Sequence, residues 1–288
     1  MTDSKLIEPE IRQIIELALA EDRAREDVTG NILIPAELTG QAVLQAKAAG
    51  VVAGLNVFRA AFLLLDPSLK IDLKLGDGDN VKPGDAVGTV LGKVRSILAA
   101  ERTALNFVCH LSGVATLTAR YVAEVKGLNT LITDTRKTLP GLRLLEKEAV
   151  RAGGGTNHRL NLADGVLIKD NHLAAMRANG LNLGEIVRRA KAASPPSLWV
   201  QVEVTGMAEA EEAILAGADM LLIDNLSPEA VQKIVKRFGQ KVTLEASGGI
   251  TLANVRRYAE SGVARISIGA LTHSAGALDL SLEYFLPD

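Results

Sequence analysis

Apolar positions recur with helical spacing at the start of the chain. Ile7, Ile11, Ile14, Ile15, Leu17 and Leu19 predict an amphipathic helix over 7–21, because residues three and four apart share a face. Residues 40–52 alternate enough to predict a strand, and 56–65 predict a helix. Between 69 and 95 the apolar runs are short. Gly76-Asp77-Gly78-Asp79 and Lys82-Pro83-Gly84-Asp85 break them, so short strands joined by turns are expected. Two helices are expected next, at 96–110 and 112–126. On the first, Leu98, Arg102, Leu105 and Cys109 share one face, and Ile97, Glu101, Ala104 and Val108 the adjacent one. Glu101 and Arg102 therefore interrupt apolar faces. A local ion pair at a domain or subunit junction accounts for this, and so does an arginine that reaches a buried anion.

From residue 130 the pattern becomes a regular alternation. Strands are expected near 130–134, 165–169, 199–204, 220–224, 242–246 and 264–268, with helices near 141–152, 183–193, 207–216, 227–238 and 251–261. Such alternation predicts a parallel sheet with right-handed crossovers. The strands are rich in Val, Leu and Ile and nearly continuous in apolarity, as in sheets covered on both faces. The expected fold class is α/β, an incomplete TIM-like barrel with fewer than the usual eight strands. A doubly wound open sheet is the alternative, weakened by the lack of a GxGxxG after a first strand.

Composition narrows the picture. A chain of 288 residues suggests about two domains. Aromatics make up only 3%, so the core must be aliphatic. A net charge of −2 argues against a broad nucleic-acid or membrane surface. No apolar stretch approaches the ~20 residues of a membrane span, and MTDSKLIEPE has no signal-peptide pattern. The single Cys109 cannot form an internal disulfide, which favours a cytoplasmic setting. It sits in a helical apolar pattern and reads as core rather than nucleophile. The turns at 76–85 resemble those of biotinyl or lipoyl carrier domains, but the nearest lysine, Lys74, precedes the turn instead of capping it.

The candidate chemistry lies at the strand ends. TDTRKT (133–138) follows Leu131 and Ile132 and presents Arg136 and Lys137. Adjacent cations there repel unless an anion sits between them. Gly153-Gly154-Gly155, Asn157, His158 and Arg159 precede the second strand, and Lys169 ends it. Glu203, Asp224, Ser247-Gly248-Gly249 and Gly269-Ala270 end later ones. Clustered Arg and Lys recognise carboxylates or phosphates. Two lone acids bind sugar hydroxyls, hold Mg²⁺ through water or stabilise a developing cation. Glycine turns expose backbone N–H groups to a phosphate. Taken singly, each signal has a plain structural explanation. Glu203 serves as an ion-pair partner, His158 as a satisfied loop histidine, and SGG as a common turn. His110, His172 and His273 have no metal-ligand spacing, and no GxSxG elbow appears.

The run DTRKTLPGLRLLEKEAVRAGGGTNHRLNLADGVLIKDNH (134–172) closely resembles quinolinate phosphoribosyltransferases. So do AEDRAREDVT (20–29), ERTALNFVCHLSGVAT (101–116), VEV (202–204), LIDN (222–225), EASGGI (245–250) and ISIGALTHS (266–274). The resemblance covers nearly the whole chain. It implies an N-terminal α/β sandwich over 1–115, with 272–288 packing back on it, and an incomplete α/β barrel over 116–271. It implies a homodimer with shared active sites, and transfer of a phosphoribosyl group from phosphoribosyl pyrophosphate to quinolinate. The products would be nicotinate mononucleotide, pyrophosphate and CO₂, with Mg²⁺ as cofactor, on the way to NAD. By motif, Arg102 (from the partner subunit), Arg136, His158, Arg159 and Lys169 would bind quinolinate. Lys137, Lys169, Glu203 and Asp224 would be catalytic and would face phosphoribosyl pyrophosphate or the metal. Ser247, Gly248, Gly249 and Gly269 would hold the 5′-phosphate, with His273 nearby. LEKEAV (145–150) departs from the family by placing Glu148 where an apolar or aromatic residue is expected, on a helix expected to face outward. Three rivals remain: a molybdenum-transport-associated paralogue with another acceptor, nicotinate as acceptor, and a non-enzymatic phosphate-binding scaffold.

Overall fold

A computed structural model describes residues 8–285. Ile7, the first apolar position of the expected N-terminal helix, lies outside them. The elements are, in order, α1 (Pro9–Glu21), a 3-10 turn (Ala24–Glu26), α2 (Val28–Leu33), β1 (Thr39–Ala46), β2 (Gly50–Val51), α3 (Leu55–Leu65), β3 (Lys70–Leu73), β4 (Asn80–Val81), β5 (Ala86–Lys93) and α4 (Val94–Glu124). Then come β6 (Leu131–Thr133), α5 (Arg143–Ala152), β7 (Val166–Ile168), α6 (Asp170–Arg177), α7 (Leu183–Ala193), β8 (Val200–Val204) and α8 (Met207–Leu215). The chain continues through β9 (Met220–Asp224), α9 (Pro228–Phe238), β10 (Thr243–Ser247), α10 (Val255–Glu260), β11 (Arg265–Ser267), α11 (Ala270–His273) and β12 (Leu280–Phe285). Among the described residues no helix is long and apolar enough to cross a membrane.

Two compact units emerge. One holds the chain up to Ala119, then Thr138–Gly154, and the chain from Leu271 onward. The other holds Arg120–Lys137 and Gly155–Ala270. The first unit carries an antiparallel sheet in the order β12-β1-β5-β3. Ile11, Ile15 and Leu19 form the buried stripe of α1. The single strand expected over 40–52 is two strands, because β1 pairs with β5 and β12 while β2 pairs with β4. The two helices expected at 96–110 and 112–126 are one continuous helix, α4. Ser112-Gly113, at the start of the second expected helix, is a point of close approach. A Cβ on Gly113 would lie 2.2 Å from the Gly276 carbonyl oxygen, and Ser112 Oγ accepts the Ala53 N–H at 3.0 Å.

The helix expected to face outward carries buried charge as well as the exposed Glu148. On α5, Glu146 and Lys147 are buried, while Glu148 and Arg151 are exposed. Glu146 meets His110 Nε2 at 2.8 Å and accepts the Leu139 N–H at 3.1 Å. Cys109 lies against the Leu280 carbonyl at 3.6 Å, and burial pushes its thiol pKa up, which suits packing rather than nucleophilic attack.

The second unit is built on six parallel strands in the order β6-β11-β10-β9-β8-β7. The fold is mixed α/β and the parallel sheet stays open: among the described residues β6 and β7 form no ladder with each other. Thr156 lines the β6 edge instead, through an isolated bridge to Thr133. The strands are less uniform than their composition suggests. In a parallel sheet, residues in register share a face, and faces alternate along each strand. One face carries Ile132, Ile168, Val202, Val204, Leu221, Ile223, Leu244, Ala246, Ile266 and Ile268, all buried. The other carries Thr133, Gln201, Glu203, Asp224, Glu245, Ser247 and Ser267. The registers Gln201↔Met220, Glu203↔Leu222, Leu222↔Glu245, Asp224↔Ser247 and Thr133↔Ser267 tie this second set together. The short helix α6, unexpected from sequence, follows Lys169. It buries only Leu173, so its apolar periodicity is faint.

Candidate active site

Parity and register together bring the polar strand ends to one edge of the parallel sheet. Glu203 lies one residue from the end of β8, Asp224 ends β9, and Ser247 ends β10 beside Asp224 in register. Lys169 follows β7 directly, with its backbone N–H held at 3.0 Å by His172 Nδ1 at the start of α6.

Charges from both edges of the sheet act on one residue of it. The Glu203 pKa is raised, first by burial and then by the charges of Asp224 and Asp170; Lys169 and Lys137 oppose the rise. Lys169 follows one edge strand and Lys137 follows the other, yet both act on a residue of β8. The charge of Arg136 likewise reaches Arg159. The Arg159 pKa is lowered, first by burial and then by the Arg136 charge. Arg159 donates one guanidinium N–H to the Gly165 carbonyl at 2.9 Å. Arg136 Nε is buried without a hydrogen-bond partner. Two guanidinium groups held close against their own repulsion make a receptor for a paired anion.

Backbone is shaped to match. Gly248 has φ +90° and Gly249 φ +61°. A Cβ on Gly248 would lie 2.2 Å from Asn225 Oδ1, whereas one on Gly249 would meet nothing within 4 Å. The loop after β10 thus packs tightly at its first glycine and is open at its second. Asn225, itself at φ +54°, locks the two loops by donating its backbone N–H to the Ser247 carbonyl at 2.9 Å and its side-chain amide to Asp224 at 2.5 Å. Gly269 follows β11 on the same edge.

Beneath the cations runs a buried polar network that sequence reasoning passed over. Asp134 is fully buried and accepts the His158 N–H at 2.8 Å and the Asn157 side-chain amide at 2.7 Å. His158 Nε2 lies 3.1 Å from Gln201 Oε1, and Gln201 Nε2 donates to Glu245 Oε2 at 3.1 Å. Gln201 on β8 and Glu245 on β10 come from alternate strands, the way side chains share a layer inside a barrel. The Trp199 ring stands edge-on to His158 at 5.7 Å. The signal was present as polar residues inside VQVEV and TLEAS, at the spacing of one strand face.

Two expected site residues belong to the first unit. Arg102, exposed on α4, lines a cavity of about 280 Å³ with Thr103, Asn106, Phe107, His110 and Leu142. Its neighbour Glu101 accepts the Tyr284 hydroxyl at 3.1 Å. His273 ends α11, exposed, with Nδ1 2.6 Å from Ser274 Oγ.

Comparison with known proteins matches residues 27–112 to the N-terminal domain of quinolinate phosphoribosyl transferase and residues 114–283 to its C-terminal domain. The chain belongs to the quinolinate phosphoribosyltransferase family. A nicotinate-nucleotide pyrophosphorylase (carboxylating) of Mycobacterium leprae is 41% identical over 283 residues, covering 94% of this chain and 96% of that one. A quinolinate phosphoribosyltransferase (decarboxylating) of Nicotiana tabacum is 37% identical over 290 residues, covering 95% and 82%. The crystal structure of NadC from Streptococcus pyogenes superposes with a TM-score of 0.92 at 40% identity, covering 98% and 99%. Members of the quinolinate phosphoribosyltransferase family thus match the fold and most of the length of the chain. The likeness to human nicotinic acid phosphoribosyltransferase, at 16% identity and a TM-score of 0.56, is one of fold alone.

Proposed function

We propose that the protein transfers the phosphoribosyl group of phosphoribosyl pyrophosphate to quinolinate and decarboxylates the product to nicotinate mononucleotide, in NAD biosynthesis. One observation carries the reading beyond family membership. Glu203 and Asp224 stand at the ends of neighbouring strands, the charges of Lys169 and Lys137 from both edges of the parallel sheet act on Glu203, and the charge of Arg136, whose Nε is buried without a hydrogen-bond partner, acts on Arg159. A dicarboxylate suits the two guanidiniums. A monocarboxylate would leave a repulsive pair half-neutralised, which favours quinolinate over nicotinate.

The residues have these roles in that reaction. Arg136, Arg159 and Lys169 orient the pyridine dicarboxylate, with His158 below, and Arg102 of the partner subunit completes the clamp. Ser247, Gly248, Gly249 and Gly269 receive the 5′-phosphate, with His273 near. Glu203 and Asp224 bind ribose hydroxyls and stabilise the positive charge that develops at the anomeric carbon as pyrophosphate departs. The pyridine nitrogen, held in line, forms the new bond. The quaternised nitrogen then stabilises the carbanion left by loss of CO₂, which takes up a proton. Positioning of two anions is the protein's main contribution.

Mg²⁺ fits this donor set as an ion shared with substrate. Two carboxylates stand together, and among the described residues no group of three or more His, Cys, Asp or Glu is placed to hold a metal alone. When bound, the ion would neutralise charge on the departing pyrophosphate. A cytoplasmic setting belongs to the same proposal, resting on the single cysteine.

The deciding experiment supplies phosphoribosyl pyrophosphate and Mg²⁺ with either quinolinate or nicotinate and measures products. Nicotinate mononucleotide and CO₂ are expected from quinolinate only. Turnover of nicotinate alone, or of neither, would refute the assignment. The shared dimer site is tested by mixing Arg102→Ala with Lys169→Ala. Each alone is expected to be nearly inactive, while mixed dimers recover up to about a quarter of wild-type activity. No recovery after confirmed subunit exchange would place Arg102 in its own subunit's site or in none.

A further inference from the structure

Glu245 is a fully buried glutamate that the reaction described above does not use. Oε1 has no hydrogen-bond partner, and Oε2 accepts from Gln201. A buried acceptor left unsatisfied costs stability, and an apolar side chain in this layer would avoid that cost. What Glu245 does is impose direction on its neighbours. Glu245 Oε2 accepts from the Gln201 NH₂, which leaves the Gln201 carbonyl turned toward His158. That carbonyl only accepts, so His158 Nε2 must carry a hydrogen. Nδ1 is then bare, and it accepts the backbone N–H of Arg159 at 2.8 Å. Oε1 lies 3.5 Å from His158 Nε2.

We propose that Glu245 is a positioning residue for the quinolinate subsite. Through Gln201 it fixes His158 in the Nε2–H tautomer and so seats the Arg159 backbone beneath the substrate carboxylates. The relay itself needs no substrate; its link to quinolinate rests on the function proposed above. A glutamine at 245 presents both a donor and an acceptor, so Gln201 would be free to flip. His158 would then be free to place its hydrogen on Nδ1, which breaks the bond to Arg159.

The test uses ¹⁵N-imidazole spectra of the unliganded full-length protein, with His158 assigned among the four histidines by comparison with His158→Asn. Wild type is expected to show only the Nε2–H form. Glu245→Gln and Gln201→Met are each expected to show a tautomer mixture. In steady-state assays both should raise KM for quinolinate about five-fold, near the effect of one lost hydrogen bond. KM for phosphoribosyl pyrophosphate and kcat should stay within about two-fold. The double variant should be no worse than either single one, because both break one relay. Either of two results overturns the proposal: an unchanged tautomer in whichever variants fold, or parallel losses in kcat and both KM values that track a lower Tm. If wild type fails to turn over quinolinate, the functional reading falls and the subsite assignment with it, while the spectra still decide the relay.

Discussion

Glu203→Gln is expected to lower kcat by roughly 10²-fold or more while leaving the unliganded protein at least as stable as wild type. The two effects share one cause. Burial and the charges of Asp224 and Asp170 hold the Glu203 pKa above the ordinary glutamate value of 4.5, so the folded protein resists ionising this carboxyl. Between 4.5 and the raised folded value, the native state keeps a proton that the unfolded chain has lost. Stability therefore falls as pH rises through that window. Glutamine removes the penalty and keeps the shape. It also removes the negative charge needed opposite the cationic transition state. Wild-type activity should fail on the acid side as Glu203 protonates, at a pH above that expected for an exposed glutamate. Thermal melts across pH and pre-steady-state rates check both halves. A Glu203→Gln protein that is less stable at pH 7, or one that turns over normally, would contradict the role.

Arg136→Ala is expected to weaken quinolinate binding by more than one charge-assisted hydrogen bond, about 1.5–3 kcal/mol or about 10- to 150-fold in Kd. Arg136 keeps a buried Nε with no partner and stands close enough to Arg159 for its charge to lower the Arg159 pKa. That arrangement is unfavourable in the empty protein and favourable once a dianion enters. Truncation should therefore leave the unliganded Tm unchanged or slightly higher, while the rise in Tm caused by saturating quinolinate shrinks. Titration calorimetry and ligand-dependent melts measure the two sides. An unchanged dissociation constant would remove Arg136 from the site.

Much of the parallel half was legible because strand and helix periodicities are local. The six strands and the helices after them appear where the alternation of apolar runs puts them, with ends shifted by at most four residues. The errors came where a local signal had a non-local cause. The two helices expected at 96–110 and 112–126 are one, and Gly113 within it is small because another segment packs against it there. The Gly276 carbonyl that fills the space is 163 residues away in the chain. In the charged stretch at 145–150 Glu148 faces outward as expected, yet Glu146 and Lys147 are buried, and Glu146 pairs with a histidine on another helix. Gln201 and Glu245 were hidden inside strands that composition made look uniformly apolar.

The sequence by itself determined which residues stand at the ends of the strands, because parity and apolar run length set where each strand stops. It also determined family membership, because the motifs occur in order along nearly the whole chain. It did not determine that Arg136 faces Arg159, that Lys137 and Lys169 act together on Glu203, or that Glu245 reaches His158 through Gln201. Those pairings cross the sheet or join its opposite edges. They depend on how far six strands curl, a property of the packed sheet that no single stretch of sequence carries.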